Sequence, residues 1–299
     1  MDFNLSADLL SNFQTGAILA AGGHIAPEPL PGLGWFTNSL FVAVFVMLLV
    51  LWFTRMATKK MATVPGKKQN LVEFVVEFVY GQVEGIVGKH VAPRVFPLLA
   101  TIFIFVLVSN WFGLIPGVGT IGFGGDKADM AAPLLIKKDA AEFTGLLRPA
   151  TADLNFTLAL ALVFMVVWAW VTVREIGVWG FLVHTFGPKG GLQGVIKYLL
   201  IPIFLFVGVI EIISIAFRPV SLSFRLFGNV FAGESLLAAM SGIGKTLGIE
   251  AGWLQFILSV VAPLPFYFLE ILVGLLQAIV FTLLCAVYVQ LSTTHEEEH

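Results

Sequence analysis

Arg225 is a charged side chain inside a strongly apolar stretch that runs from Tyr198 to Met240. A guanidinium does not escape by losing its proton, because its pKa lies above ~12. At membrane depth it costs about 3 kcal/mol on insertion scales, so a chain that keeps it there uses it. Other polar side chains recur around it at helical spacing. Glu211, Arg218 and Arg225 fall seven apart, a step that drifts only about 20° per heptad. Ser214 and Ser221 lie four before the two arginines, and Asn229 lies four after Arg225, which puts all of them on one stripe. Glu234 is nine residues past Arg225, about 900° of turn, and so faces the opposite side. In the last apolar region Glu270 and Gln277 are again seven apart, and Tyr267, three before Glu270, extends their line.

The chemistry open to this set is proton movement. Glu211 stands about 21 Å from Arg225 along a helix axis, and Glu234 about 14 Å away in the other direction. Carboxylates take up and release protons, whereas a guanidinium that never deprotonates blocks a hop through its own position. Two aqueous half-channels divided by a fixed positive charge are the economical arrangement, and the proton is then carried round on something else. Plainer roles stay open for each residue. Glu211 and Arg218 can neutralise each other, and Arg225 can pair with a glutamate that sets helix register. Asn229, Gln277, Ser214 and Ser221 can bond to neighbouring helices or to backbone.

The elements that hold these residues are spans. The chain is 58% hydrophobic and 12% charged with 28 phenylalanines, and its mean hydropathy is +0.93, so its solvent is lipid. Spanning length, about 20 apolar residues, is reached at 35–53, 96–116 and 154–173. Two longer regions follow, 194–240 and 253–291, of about 70 and 60 Å at ~1.5 Å per residue, roughly twice the hydrocarbon core. Each either breaks in two, with Pro202, Pro219, Pro263 and Pro265 able to kink it, or lies steeply tilted. Tilt is the preferred reading, because no polar loop divides either run. Between Leu71 and His90, apolar residues oppose Glu73, Glu77 and Glu84, the pattern of an amphipathic helix along the interface. The expected fold is an all-α polytopic membrane protein: about five crossings, one interfacial helix at 71–90, and the last two helices a long tilted hairpin. A tail, 1–34, precedes a single membrane domain, 35–291, and an acidic tail, 292–299, ends it.

Arg55, Lys59, Lys60, Lys67 and Lys68 follow the first span, while the segment before it has no Lys or Arg, so that connection is expected to be cytoplasmic. The N-terminus then lies outside, the C-terminus inside, and 117–152 forms an outer loop, Gly-rich and weakly structured. A net charge of −2 gives no reason for a nucleic-acid partner. The lone Cys285 excludes an internal disulfide, and the N-terminus lacks the basic region of a signal peptide. His295-Glu-Glu-Glu-His299 matches H-E-x-x-H only in letters, as an acidic tail without a third ligand. Gly244-Lys245-Thr246 lacks the glycine that a P-loop needs five places earlier, where Ala239 stands. His24, His90 and His184 form no ligand set. No cofactor and no metal are expected.

Arg218-Pro-Val-Ser-Leu-Ser-Phe-Arg-Leu-Phe-Gly-Asn-Val-Phe-Ala-Gly-Glu234 closely resembles the signature of the F-type ATP synthase a subunit family. Leu276 to Tyr288 resembles that family's last helix, and the amphipathic segment and Trp111-Phe-Gly-Leu-Ile-Pro116 are similar too; the likeness covers the chain from about Trp35 onward. It implies a non-catalytic stator of the membrane sector that offers two offset half-channels to a ring of c subunits, with b subunits and the F1 sector as further partners. It implies that Arg225 faces the passing ring carboxylates, that Glu234 and Glu270 belong to the outer half-channel, and that Glu211 belongs to the cytoplasmic one. Asn229 and Gln277 would orient the arginine or bind water. Asp153 and Asn155 would add to the outer vestibule, with Ser221, Arg218 and Tyr267 as further lining. A bacterial inner membrane is the expected location, an organellar one the alternative. The competing reading is a free-standing proton-coupled transporter with Arg225 binding an anionic substrate, which the absence of an internal repeat disfavours. Proton against sodium coupling is left open, because the carrier carboxylate belongs to another chain.

Overall fold

The computed structural model describes residues 29–30, 33–59, 61–115, 118, 121–124, 134–136, 143–187, 201–249 and 251–293. Most of the tail at 1–34, the residues 188–200 that include the start of the fourth region, and the acidic end from 294 lie outside these. A two-stranded antiparallel hairpin, β1 (Pro29–Leu30) and β2 (Leu33–Thr37), leads into α1 (Asn38–Thr58). The Thr37 hydroxyl accepts the Leu40 amide at 3.3 Å, an N-cap. At the other end Arg55 sits in the last turn, where a cation meets the negative end of the helix dipole.

The element α2 runs from Lys67 to Gly113 and joins the expected interfacial helix to the expected second span without a loop. Its bend is Gly88, at φ 77° and ψ 164°, a conformation open to little besides glycine. The helix resumes at once, so the second span begins well before Phe96. The element α3 (Leu154–Phe186) repeats the device at Gly177, φ 72° and ψ 166°. Next comes α4 (Ile201–Ser241), which passes through Pro219 unbroken. After the short α5 (Ile243–Thr246), the last region divides into α6 (Gly252–Val261) and α7 (Leu264–Thr293) at a turn around Pro263. Of the two readings of the region 253–291, the break at its prolines is the one seen locally, since a proline lacks the amide that would continue the helix, although Gly252–Ser292 still counts as one candidate span.

The connection expected at 117–152 holds more structure than its composition suggested. Strands β3 (Ile121–Gly124), β4 (Leu134–Ile136) and β5 (Phe143–Gly145) form an antiparallel sheet in the order β4-β3-β5. Among the described residues five helices are long and apolar enough to cross a membrane, and the expected class, all-α and polytopic, holds.

Contacts among the residues divide into two compact units, and each spanning helix contributes a stretch to both. The first gathers Met1–Leu49, Val106–Phe156 and Leu226–Gln277. There the Asn38 amide donates to the Gly145 carbonyl (2.9 Å), and Ser39 donates to Asp153 (2.7 Å), tying α1 to β5 and to the start of α3. A Cβ on Gly113 would strike the ring of Pro149, so glycine permits that close approach.

The second unit gathers Val50–Phe105, Thr157–Arg225 and Ala278–His299. Its core includes Leu99, Phe164, Val171, Leu222, Phe281 and Val289, all essentially inaccessible. Arg94 pairs with Glu175 close to the two glycine bends, and His90 lies 3.8 Å from the same carboxylate. Thr172 donates to Ser292 at 2.9 Å, and the Trp168 indole donates to the Tyr288 carbonyl at 2.9 Å, joining α3 to α7.

Alanine at Gly88 or Gly177 meets no atom within 4 Å, so its penalty is conformational. Each substitution is expected to destabilise the detergent-solubilised chain by about 1–3 kcal/mol, read as a lowered midpoint of thermal unfolding. Alanine at Gly81, which is equally open but helical, serves as the silent control.

Candidate functional site

In the first unit, α2, α4 and α7 converge on a cavity of about 30 Å³ lined by Asn110, Asn229, Glu234, Glu270, Gly274 and Gln277, among others. The convergence follows from small residues. Where Gly274 of α7 passes α2, a Cβ would stand 3.3 Å from Asn110 Cβ and 3.4 Å from Trp111 Cδ1. Asn110 donates to the Gly274 carbonyl (3.2 Å) and Trp111 to the Ile271 carbonyl (3.1 Å), so two neighbouring side chains of α2 hold one turn of α7. Across the cavity, a Cβ on Gly233 would fall on the Glu270 carboxylate itself. Glycine beside Glu234 therefore makes the space in which the facing carboxylate sits. Glu234 and Glu270 are both half-buried, and Glu270 and Arg148 both lie within electrostatic reach of Glu234.

Two of the expected polar residues, Asn229 and Gln277, bond to each other. Asn229 Nδ2 donates to Gln277 Oε1 at 2.7 Å, with Gln277 buried and Asn229 exposed. Tyr267 is half-buried on α7 and is not among the cavity's lining residues. Asp153 is buried, and both its oxygens are taken: it accepts the Ser39 hydroxyl and, at 2.9 Å, the Asn155 amide. That second bond caps α3, a structural task that its spacing did not reveal. Asn155 is exposed.

In the second unit α4 carries the other charged residues. Arg218 lies over two rings, 5.5 Å from the Trp168 centroid and 4.7 Å from that of Tyr288, with Glu211 within electrostatic reach. Aromatic faces stabilise a guanidinium by about 0.5–2 kcal/mol each. Arg218 thus has this cage in addition to Glu211. Arg225 differs. It is exposed, as are Ser214, Phe217, Ser221 and Phe224, and among the described residues it has no hydrogen-bond or ion-pair partner. Sequence reasoning missed Asn110 and Arg148: one lies in an apolar run as a lone amide, the other in a loop with balanced charge.

Together these features define a polytopic helical membrane protein in which acids and amides meet within the apolar spans of one unit and a guanidinium stands exposed in the other. The sequence pattern of the family described as ATP synthase A chain matches residues 39–290. The chain is similar to ATP synthase subunit a of Shewanella loihica, 35% identical over 88% of this chain and 89% of that one. It is similar also to those of Wigglesworthia glossinidia brevipalpis (32% identical, 86% and 83%) and Mycobacterium ulcerans (32% identical, 87% and 87%). The chain belongs to the ATP synthase A chain family. It is a proton-translocating stator subunit of the membrane sector, and it is non-catalytic, the ATP chemistry being done elsewhere in the complex. These relatives give the free-standing transporter no support.

Gly233→Ala tests the cavity's geometry. It is expected to displace the Glu270 carboxylate and to slow ATP-driven proton pumping by about tenfold or more, while the membrane sector still assembles. Fluorescence quenching in inverted vesicles measures the rate.

Proposed function

We propose that Arg225 separates two half-channels in this chain: Glu234 and Glu270 serve the outer side, and Glu211 serves the cytoplasmic side. The observation that carries this reading is the exposed Arg225 guanidinium within an apolar span, without a partner among the described residues. A bare charge facing lipid is costly, so its counter-ion comes from another chain, and a ring of carboxylate-bearing c subunits supplies one at each step. The guanidinium favours the ionised form of each arriving carboxyl and so releases its proton. It relays none itself. The partition of residues supports the division, since Glu234 and Glu270 belong to one compact unit while Glu211, Arg218 and Arg225 belong to the other.

Asn229 and Gln277, bonded to each other, form the polar end of the outer path. Ser221 lines the exposed face with Arg225, and Arg218 holds the cytoplasmic side positive within its aromatic cage. Asp153, Asn155 and Tyr267 stay at the margin of the outer vestibule. Residues 35–291 act as one membrane domain between an outer tail and an acidic cytoplasmic tail. The basic residues after α1 favour the N-terminus outside and the C-terminus inside, in a bacterial inner membrane. The b subunits and the F1 sector complete the assembly.

Arg225→Ala is expected to abolish ATP-driven proton pumping while peripheral ATP hydrolysis persists uncoupled; coupled pumping at the parent rate would sink the assignment. Glu234→Gln and Glu270→Gln are expected to act non-additively on outer-side proton uptake, because they share one cavity. Fully additive losses in the double variant would mean two separate paths.

A further inference from the structure

The cavity in the first unit contains two unmet hydrogen-bonding needs of opposite kind. Asn110 gives its amide N–H to the Gly274 carbonyl, which fixes the side chain and leaves Oδ1 pointing elsewhere. That oxygen is buried and has no partner. Gln277 accepts from Asn229 through Oε1, which leaves Nε2 buried and likewise without a partner. Asn110 is 6% exposed and Gln277 4%, so neither group reaches bulk solvent. A buried polar atom left unsatisfied costs about 1–3 kcal/mol, yet both residues line the same cavity as Glu234 and Glu270. Its ~30 Å³ exceeds the ~10–15 Å³ that one water requires.

We infer that Asn110 is a positioning residue of the outer proton path, holding an ordered water between its Oδ1 and Gln277 Nε2, beside Glu234 and Glu270. Such a water accepts a hydrogen bond from Gln277 Nε2 and donates one to Asn110 Oδ1. One lone pair and one O–H then remain for the carboxyl groups. In transfer, a carboxylic acid gives its proton to that lone pair, and the water gives up its free proton to the next base in line. One O–H bond forms and one breaks, so the water ends neutral. The two amides fix the water's orientation without titrating themselves, so the path carries protons without storing charge at this point. This inference rests on the assignment of Glu234 and Glu270 to the outer path.

The test compares Asn110→Thr with Asn110→Val in the assembled complex. The two replacements are nearly isosteric and both lose the amide bond to Gly274, but only threonine restores an oxygen that can hold the water. Passive proton conduction through the membrane sector is measured in vesicles stripped of F1 and scaled to assembled sector. The expected result is conduction within about twofold of the parent for threonine and a loss of about tenfold for valine, the ratio for one hydrogen bond. Equal behaviour of the two, whether both normal or both slowed, would overturn the inference, the latter showing that Asn110 only clamps α7. Should valine prevent assembly, Gln277→Met removes the water's other partner at similar length, and unchanged conduction there would overturn it equally. Glu234→Gln in the same membranes separates the two levels of the argument. Normal conduction by that variant would remove the outer-path assignment, whereas a blocked Glu234→Gln beside matched threonine and valine would remove only the water.

Discussion

The arrangement depends on a charge that cannot be neutralised. An acid at membrane depth can protonate and become tolerable, but a guanidinium cannot. Where Arg218 meets this constraint, the chain surrounds it with the rings of Trp168 and Tyr288. At Arg225 nothing comparable is provided, and the side chain stays exposed on α4. The two arginines lie seven residues apart on one helix and receive opposite treatment. One is enclosed by rings of its own chain, and the other stands exposed.

The rest of the fold answers a second need, which is to bring helices close enough for acids and amides to meet away from lipid. Glycine does this at Gly233 and Gly274, where a Cβ would fall on the Glu270 carboxylate or press against Asn110 and Trp111. Gly88 and Gly177 serve differently: their backbone angles kink α2 and α3. Small residues are a general means of close helix approach in membranes, where no hydrophobic force draws helices together. Here each of these glycines faces a specific polar group or supplies a specific bend. The glycines thus shape the candidate site as much as the charged residues do.

Much of this was legible in the sequence because lipid penalises polar groups so heavily. Five apolar runs reported five helices, and seven-residue spacing placed Glu270 and Gln277 on one face. The Asn229–Gln277 bond joins a residue of one polar line to a residue of the other. What stayed hidden was local or solitary. A lone Asn110 in an apolar run has no periodic partner to announce it. Asp153 looked like a vestibule acid, but a capping bond and a serine on α1 claim its oxygens. The sheet at 121–145 escaped because its strands are three or four residues long and two of the three contain glycine. The joining of the interfacial helix to the second span depends on one glycine's φ angle, which composition does not report. The turn at Pro263 was one of two readings left open, and the uncharged sequence around it pointed to the other.

The central claim is that the counter-ion of Arg225 belongs to another protein. The most direct measurement is the distance from the Arg225 guanidinium to the nearest c-ring carboxylate, in a structure of the assembled membrane sector. The account predicts a closest approach of about 4–6 Å, directly or through one water, at which an opposite charge governs ionisation. A guanidinium paired instead with a carboxylate of its own chain, with every ring carboxylate beyond a Debye length of about 10 Å, would contradict it.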